Sequence, residues 1–187
     1  MQRQLVERAL RGDTDAFSSL VDASLDRQYA VATLILRDGD RAQDAVQEAL
    51  VSAWRDLRSL RDPDAWDAWL YRLTVRACYR LARSERRRRV VELHVALAPD
   101  APVVGDMTVP VAERDRLERR LSGLPIDHRA ILVLRFYLDL PLAAAAEILD
   151  IPIGTAKSRL HRGLEAMRVH MSAEHEVPTF AARERTA

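Results

Sequence analysis

Cysteine is almost absent from this chain: Cys78 is the only one in 187 residues. A single thiol excludes an internal disulfide framework and a cysteine-based zinc site. Aromatic residues make up 5% of the chain and β-branched runs are few, whereas Ala, Leu and Arg dominate, so the composition favours helix over sheet. No stretch approaches the roughly 20 apolar residues of a membrane span. The opening Met1-Gln2-Arg3-Gln4-Leu5 lacks the apolar core of a secretory signal, so a cytoplasmic protein without membrane attachment is expected. A Gly-rich phosphate loop and a nucleophile with an evident partner are also missing. The five histidines (94, 128, 161, 170 and 175) show no ligand spacing with carboxylates. These absences leave no candidate catalytic residue, metal site or cofactor, and an enzyme is not expected.

What is present is hydrophobic content of 48%, enough for a core, and charge of 30% arranged in blocks. The net charge of +1 hides them. From Arg72 to Arg89 there are eight arginines and one acid, Glu85. From Asp38 to Asp67 eight acids face four arginines, and from Val90 to Glu113 there are four acids and no Lys or Arg. Segregated blocks point to separate surfaces for separate partners. Lys157 is the only lysine, so the clustering of Arg carries more weight than its abundance.

Apolar periodicity predicts an all-α fold of two small helical domains, 1–89 and 113–171. Gly12-Asp13 supplies a stop and an N-cap, and Phe17, Leu20, Val21, Leu25, Tyr29, Ala32 and Ile35 continue at helical spacing. Asp38-Gly39-Asp40 reads as a turn, with Asp40 a candidate N-cap for a helix reaching about Ser59. After Pro63 a helix starts near Asp64 and enters the Arg run. Pro99, Pro102, Gly105 and Pro110 mark 90–112 as an extended acidic linker. Helices at about 126–138, 142–149 and 153–169 follow, and 172–187 is expected to be a flexible tail.

Three surfaces could carry function. The segment Leu142–Arg168, with a tight turn at Asp150-Ile151-Pro152, has the pattern of a helix-turn-helix. On its second helix Ile153, Ala156, Leu160, Leu164 and Met167 are expected inside, with Thr155, Ser158, His161, Arg162 and Glu165 outside and Lys157 and Arg159 on the flanks. Short polar and cationic groups there suit base edges and phosphates. The helix from Trp66 buries Trp66, Trp69, Leu70, Leu73 and Ala77, beside a stripe of Arg72, Arg76, Tyr79, Arg80 and Arg83 that suits a nucleic-acid backbone. The helix 41–59 is expected to bury Ala45, Val46, Ala49, Leu50, Ala53, Trp54 and Leu57. Its opposite face, Asp44, Gln47, Glu48, Val51 and Arg55, suits docking on a basic partner helix. For each surface the alternative is an ordinary hydrated face of an amphipathic helix.

In this order the surfaces resemble the extracytoplasmic-function group of bacterial RNA polymerase sigma factors. The carrying residues are Asp44-Ala45-Val46-Gln47-Glu48-Ala49-Leu50 with Ala53-Trp54-Arg55, then Trp69-Leu70-Tyr71-Arg72-Leu73. Leu124-Pro125, Val133-Leu134-Arg135-Phe136-Tyr137 and the run from Ile151 to Arg162 carry it in the second domain. The resemblance implies a specificity subunit that directs core polymerase to promoters. Asp44, Gln47 and Glu48, with Val51 and Arg55 on the same face, would dock on the clamp helices of the β′ subunit. Arg58 and Arg61 in the loop, with Arg72, Arg76, Tyr79, Arg80 and Arg83, would hold the opened −10 element, where a base is flipped from the stack to be read. Thr155, Lys157, Ser158, Arg159, His161 and Arg162 would read the −35 element as duplex. Core polymerase (β′ and β) and promoter DNA are the implied partners, and the resemblance admits an anti-sigma protein as another. Arg76 stands where the family often has Asn, Asp150 where it usually has Gly, and Pro141 with Ala143-Ala144 where it has a polar helix start. A stand-alone helix-turn-helix regulator with an N-terminal sensor or dimerisation domain is the alternative, and it leaves the acidic face, Arg stripe and tether unexplained together.

Overall fold

The computed structural model describes residues 1–92, 121 and 123–175, and side chains within 1–85, 121 and 123–169. Most of the 90–112 linker and the end of the tail, 176–187, lie outside the described residues. The elements are α1 (Gln2–Leu10), α2 (Thr14–Leu36), α3 (Gly39–Asp56), α4 (Trp66–Glu92), α5 (Ile126–Leu132), α6 (Leu142–Leu149) and α7 (Ile153–His175). No strand occurs among the described residues.

Local chemistry sets most of the boundaries. Gly12 takes a positive φ of 95° at the stop of α1, and the Asp13 carboxylate accepts from the Ala16 N–H at 3.0 Å to start α2. Arg37 ends α2 in a left-handed conformation, and Asp38 immediately caps α3 by accepting from the Arg41 N–H at 3.0 Å. The cap is thus Asp38 and not Asp40, because a two-residue corner needs a left-handed residue directly followed by an extended one. The α3 helix gives way at Leu57–Ser59 to a 3₁₀ turn, and a second such turn at Pro63–Ala65 leads into α4. The helix expected at 126–138 changes its winding at Val133–Tyr137, where i→i+5 bonds such as Leu138 N–H to Val133 O (3.1 Å) replace the α pattern. The fourth helix continues to Glu92, past the expected start of the linker, and α7 continues to His175, past the expected fraying at Ser172.

The first helical unit is organised around Trp66, which is fully buried with Val6, Leu20, Leu57, Leu60 and Leu70. Its ring meets Phe17 edge-on at 6.1 Å and Trp69 at 5.7 Å. Removing a side chain of this kind from a core costs about 3–5 kcal/mol. Polar groups in this core are paired: the Thr74 hydroxyl donates to the Gln28 side chain at 2.7 Å, and Ser24 donates to the Leu20 carbonyl. A second apolar cluster joins the C-terminal half of α2, the inner faces of α3 and α4, and α5, α6 and α7. The two helical units therefore share a core: α5 packs against α2, and α6 against α4.

Candidate functional site

The outer face of α2 and one edge of α3 form an open groove of about 1080 Å³. Phe17, Val21, Leu25 and Tyr29 line one wall, and Gln47, Leu50, Val51, Trp54 and Arg55 the other. Trp54 is 47% exposed, Val51 43% and Leu25 40%, an exposed apolar strip on an otherwise charged surface. Trp54 was expected in the core; it lies outside because Phe17 fills the space beneath it, meeting the indole edge-on at 4.9 Å. Asp22 and Asp26 rim the groove on the α2 side. Of the five residues expected on the docking face, Gln47, Val51 and Arg55 line the groove. Asp44 is exposed outside it, and Glu48 turns toward α4, accepting from Arg80 Nε at 2.8 Å. The α2 wall was missed because Val21, Leu25 and Tyr29 follow the same helical period as core positions.

The basic stripe on α4 is only partly open. Arg76, Arg80 and Arg83 are exposed, as are Arg58 and Arg61 in the α3–α4 connection. Arg72 is half-buried, and its Nε is enclosed without a hydrogen-bond partner. Tyr79 lies in the seam between the two helical units, its hydroxyl enclosed without a hydrogen-bond partner. Burial and the neighbouring Asp127 carboxylate hold its phenol well above the ordinary tyrosine range. Asp127 also pairs with Arg159 of α7 at 3.3 Å, and Arg76 approaches Asp150 at 3.8 Å.

The helix-turn-helix is formed by α6 and α7. Asp150 takes φ 55° and ψ 49°, the left-handed conformation that a glycine would supply at this turn, and the Ile151 N–H closes on the Ala146 carbonyl at 3.1 Å. On α7, Lys157, Ser158, His161 and Arg162 are exposed on one face, while Thr155 and Arg159 are half-buried at its edges. The inner face is as expected for Ala156, Leu160, Leu164 and Met167, which lie on the core side, and departs from expectation only at Ile153. Ile153, the first residue of α7, is 45% exposed. Ala156 and Gly163 are the buried positions, with Leu160, Leu164 and Met167 half-buried. A Cβ on Gly163 would stand 3.0 Å from Leu132 Cδ1, so the close approach of α5 and α7 depends on this glycine. Nothing in the apolar pattern singled it out.

An apolar groove, a basic helix stripe and an outward polar face on a second helix of a helix-turn-helix are thus displayed by one chain. The chain matches the family model Sigma-70 region 2 over residues 20–88 and Sigma-70, region 4 over residues 114–167. It is 34% identical to an RNA polymerase sigma-H factor of Pseudomonas aeruginosa, over 88% of this chain and 91% of that protein. Against the ECF RNA polymerase sigma-E factor of Escherichia coli K12 the identity is 32%, covering 87% and 90%. In solved structures the fold is similar to a sigma factor RpoE crystallised with the anti-sigma factor NepR from Bartonella quintana. The TM-score there is 0.69 at 24% identity, covering 83% of this chain and 96% of that one. CnrH in complex with the cytosolic domain of CnrY gives a TM-score of 0.67 at 23% identity, covering 92% and 97%. This chain belongs to the extracytoplasmic-function group of RNA polymerase sigma factors.

Proposed function

We propose that this sigma factor docks on the clamp helices of the polymerase β′ subunit through the α2–α3 groove. Val51, Trp54 and Leu25 supply the apolar contact, Gln47 and Arg55 lie along it, Asp22 and Asp26 form an acidic rim for a basic helix, and the exposed Asp44 lies on α3 outside the groove. The exposed apolar strip carries this reading, since a hydrated face has no use for it. Arg58, Arg61, Arg72, Arg76, Tyr79, Arg80 and Arg83 hold the opened −10 strand. Lys157, Ser158, His161 and Arg162 read the −35 duplex in the major groove, with Thr155 and Arg159 at its phosphates. Tyr79 and Arg159 meet at Asp127 in the closed arrangement, so engaging both promoter elements requires the two units to part. An anti-sigma protein, as in the complexes of its structural relatives, is a further partner. The cytoplasm is its place of work. A stand-alone regulator would account for residues 142–168 but not for the match of 20–88 to sigma region 2.

The test is capture of core polymerase by tagged protein. Val51→Arg places a like charge opposite a basic helix, which costs several kcal/mol, about enough to lose a micromolar complex. Capture should fall at least tenfold while the circular dichroism spectrum stays helical. Wild-type capture by a folded Val51→Arg protein contradicts the docking assignment.

A further inference from the structure

The connection between α3 and α4 carries the exposed Arg58 and Arg61, and only its first half is anchored in the core. Leu57 and Leu60 are buried with Val6 and Trp66, whereas none of residues 61–65 is buried. Two 3₁₀ turns shape the connection: the Leu60 N–H donates to the Leu57 carbonyl and the Ala65 N–H to the Asp62 carbonyl, each at 3.0 Å. The Asp62 carboxylate accepts from the Asp64 N–H at 3.0 Å. The first helix packs against the second of these turns. From it, Arg3 Nη1 donates to Asp64 Oδ2 at 2.6 Å, while Arg3 Nε donates to Glu7 Oε1 at 3.0 Å. The guanidinium is thus held between two carboxylates, one on its own helix and one in the connection. Beside it, Gln2 Nε2 donates to Asp67 Oδ1 in the first turn of α4 at 2.9 Å.

Exposed pairs of this kind add little to global stability, because solvent screens the charges and the side chains lose entropy in pairing. Their effect is local. In a segment without a buried side chain, a few such ties decide how often it leaves its folded position. We propose that Arg3 and Gln2 are positioning residues, which hold the α3–α4 connection in the shape that takes up the −10 strand. This role rests on the reading that Arg58 and Arg61 contact that strand. Recognition loops need a rigid element to fix them, and α1, anchored by the buried Val6 and Ala9, is such an element.

The experiment pairs a structural readout with a functional one on the full-length protein. Native-state hydrogen exchange follows the Leu60 and Ala65 amides. Transcription with core polymerase then selects from a promoter fragment randomised at its −10 or its −35 element. Gln2→Ala combined with Arg3→Ala should speed exchange of both amides about threefold to fivefold, the local opening that loss of exposed pairs permits. Melting temperature and capture of core polymerase should stay at wild-type values. The −10 preference should relax while the −35 preference is unchanged. Arg11→Gln, exposed at the end of α1, should match wild type in every readout. Arg58→Ala combined with Arg61→Ala tests the loop reading itself and should alter −10 selection directly. Unchanged exchange in the Gln2 and Arg3 double variant would overturn the proposal. So would a lower melting temperature with both promoter elements relaxed, the result expected of a merely structural tie. Faster exchange with an unaltered −10 preference, where the Arg58 and Arg61 double variant does alter it, overturns the positioning role and leaves the loop reading standing. Unaltered −10 selection in the Arg58 and Arg61 double variant removes both.

Discussion

Cys78 shows how far a side chain's chemistry is set by what surrounds it. The thiol is fully buried, and burial pushes its pKa up to about 12. The thiolate is the nucleophile, so at pH 8 the folded protein should leave Cys78 unmodified by iodoacetamide, whereas the denatured chain should react fully. Fast labelling of the native protein would show that α4 is not packed as described. The same dependence on surroundings governs which residues were legible in the sequence. The exposed set Lys157, Ser158, His161 and Arg162 could be read from helical spacing, because a wheel reports which side chains oppose an apolar face. Glu48 and Tyr79 could not. Glu48 turns to Arg80 on another helix, and Tyr79 is covered by a segment nearly fifty positions later, so neither neighbour enters a local pattern.

Among the elements, caps and apolar spacing located the end of α1 and the starts of α2, α3, α4, α5, α6 and α7 to within about two residues, while the far ends of α4 and α7 run past expectation. The misses have physical causes. The α3 cap moved from Asp40 to Asp38 because Arg37 itself takes the left-handed turn. The altered winding at Val133–Tyr137 has no compositional signal. The α2–α3 groove was hidden because period analysis identifies apolar positions without saying whether the covering partner lies in the same chain. Gly163 belongs to this scale as well. Its missing Cβ admits Leu132 of α5 against α7, so Gly163→Val should overpack the contact and destabilise the second unit by about 1–3 kcal/mol. Urea unfolding followed by circular dichroism measures it. An unchanged midpoint would mean that α7 sits farther from α5 than described. Gly163→Ala should cost less, because the nearest atom is the movable end of a leucine.

As a whole, the molecule presents the α2–α3 groove and the polar face of α7 outward, while part of the basic stripe on α4 faces its own second unit. The fold class and the family were legible in the sequence, and the matches to sigma-70 regions over 20–88 and 114–167 bear out the family. The shared core between the units was not, because it arises from contacts such as α6 on α4 that join distant stretches. The central claim is that this chain confers promoter choice on core polymerase. The most direct measurement is run-off transcription on genomic fragments, with core enzyme and purified protein added separately and together. Discrete transcripts from defined starts are expected only with both present, and they should vanish when Val51→Arg replaces the wild type. Tight, sequence-specific protection of duplex DNA by the chain alone, with no transcript gained when core enzyme is added, would contradict it.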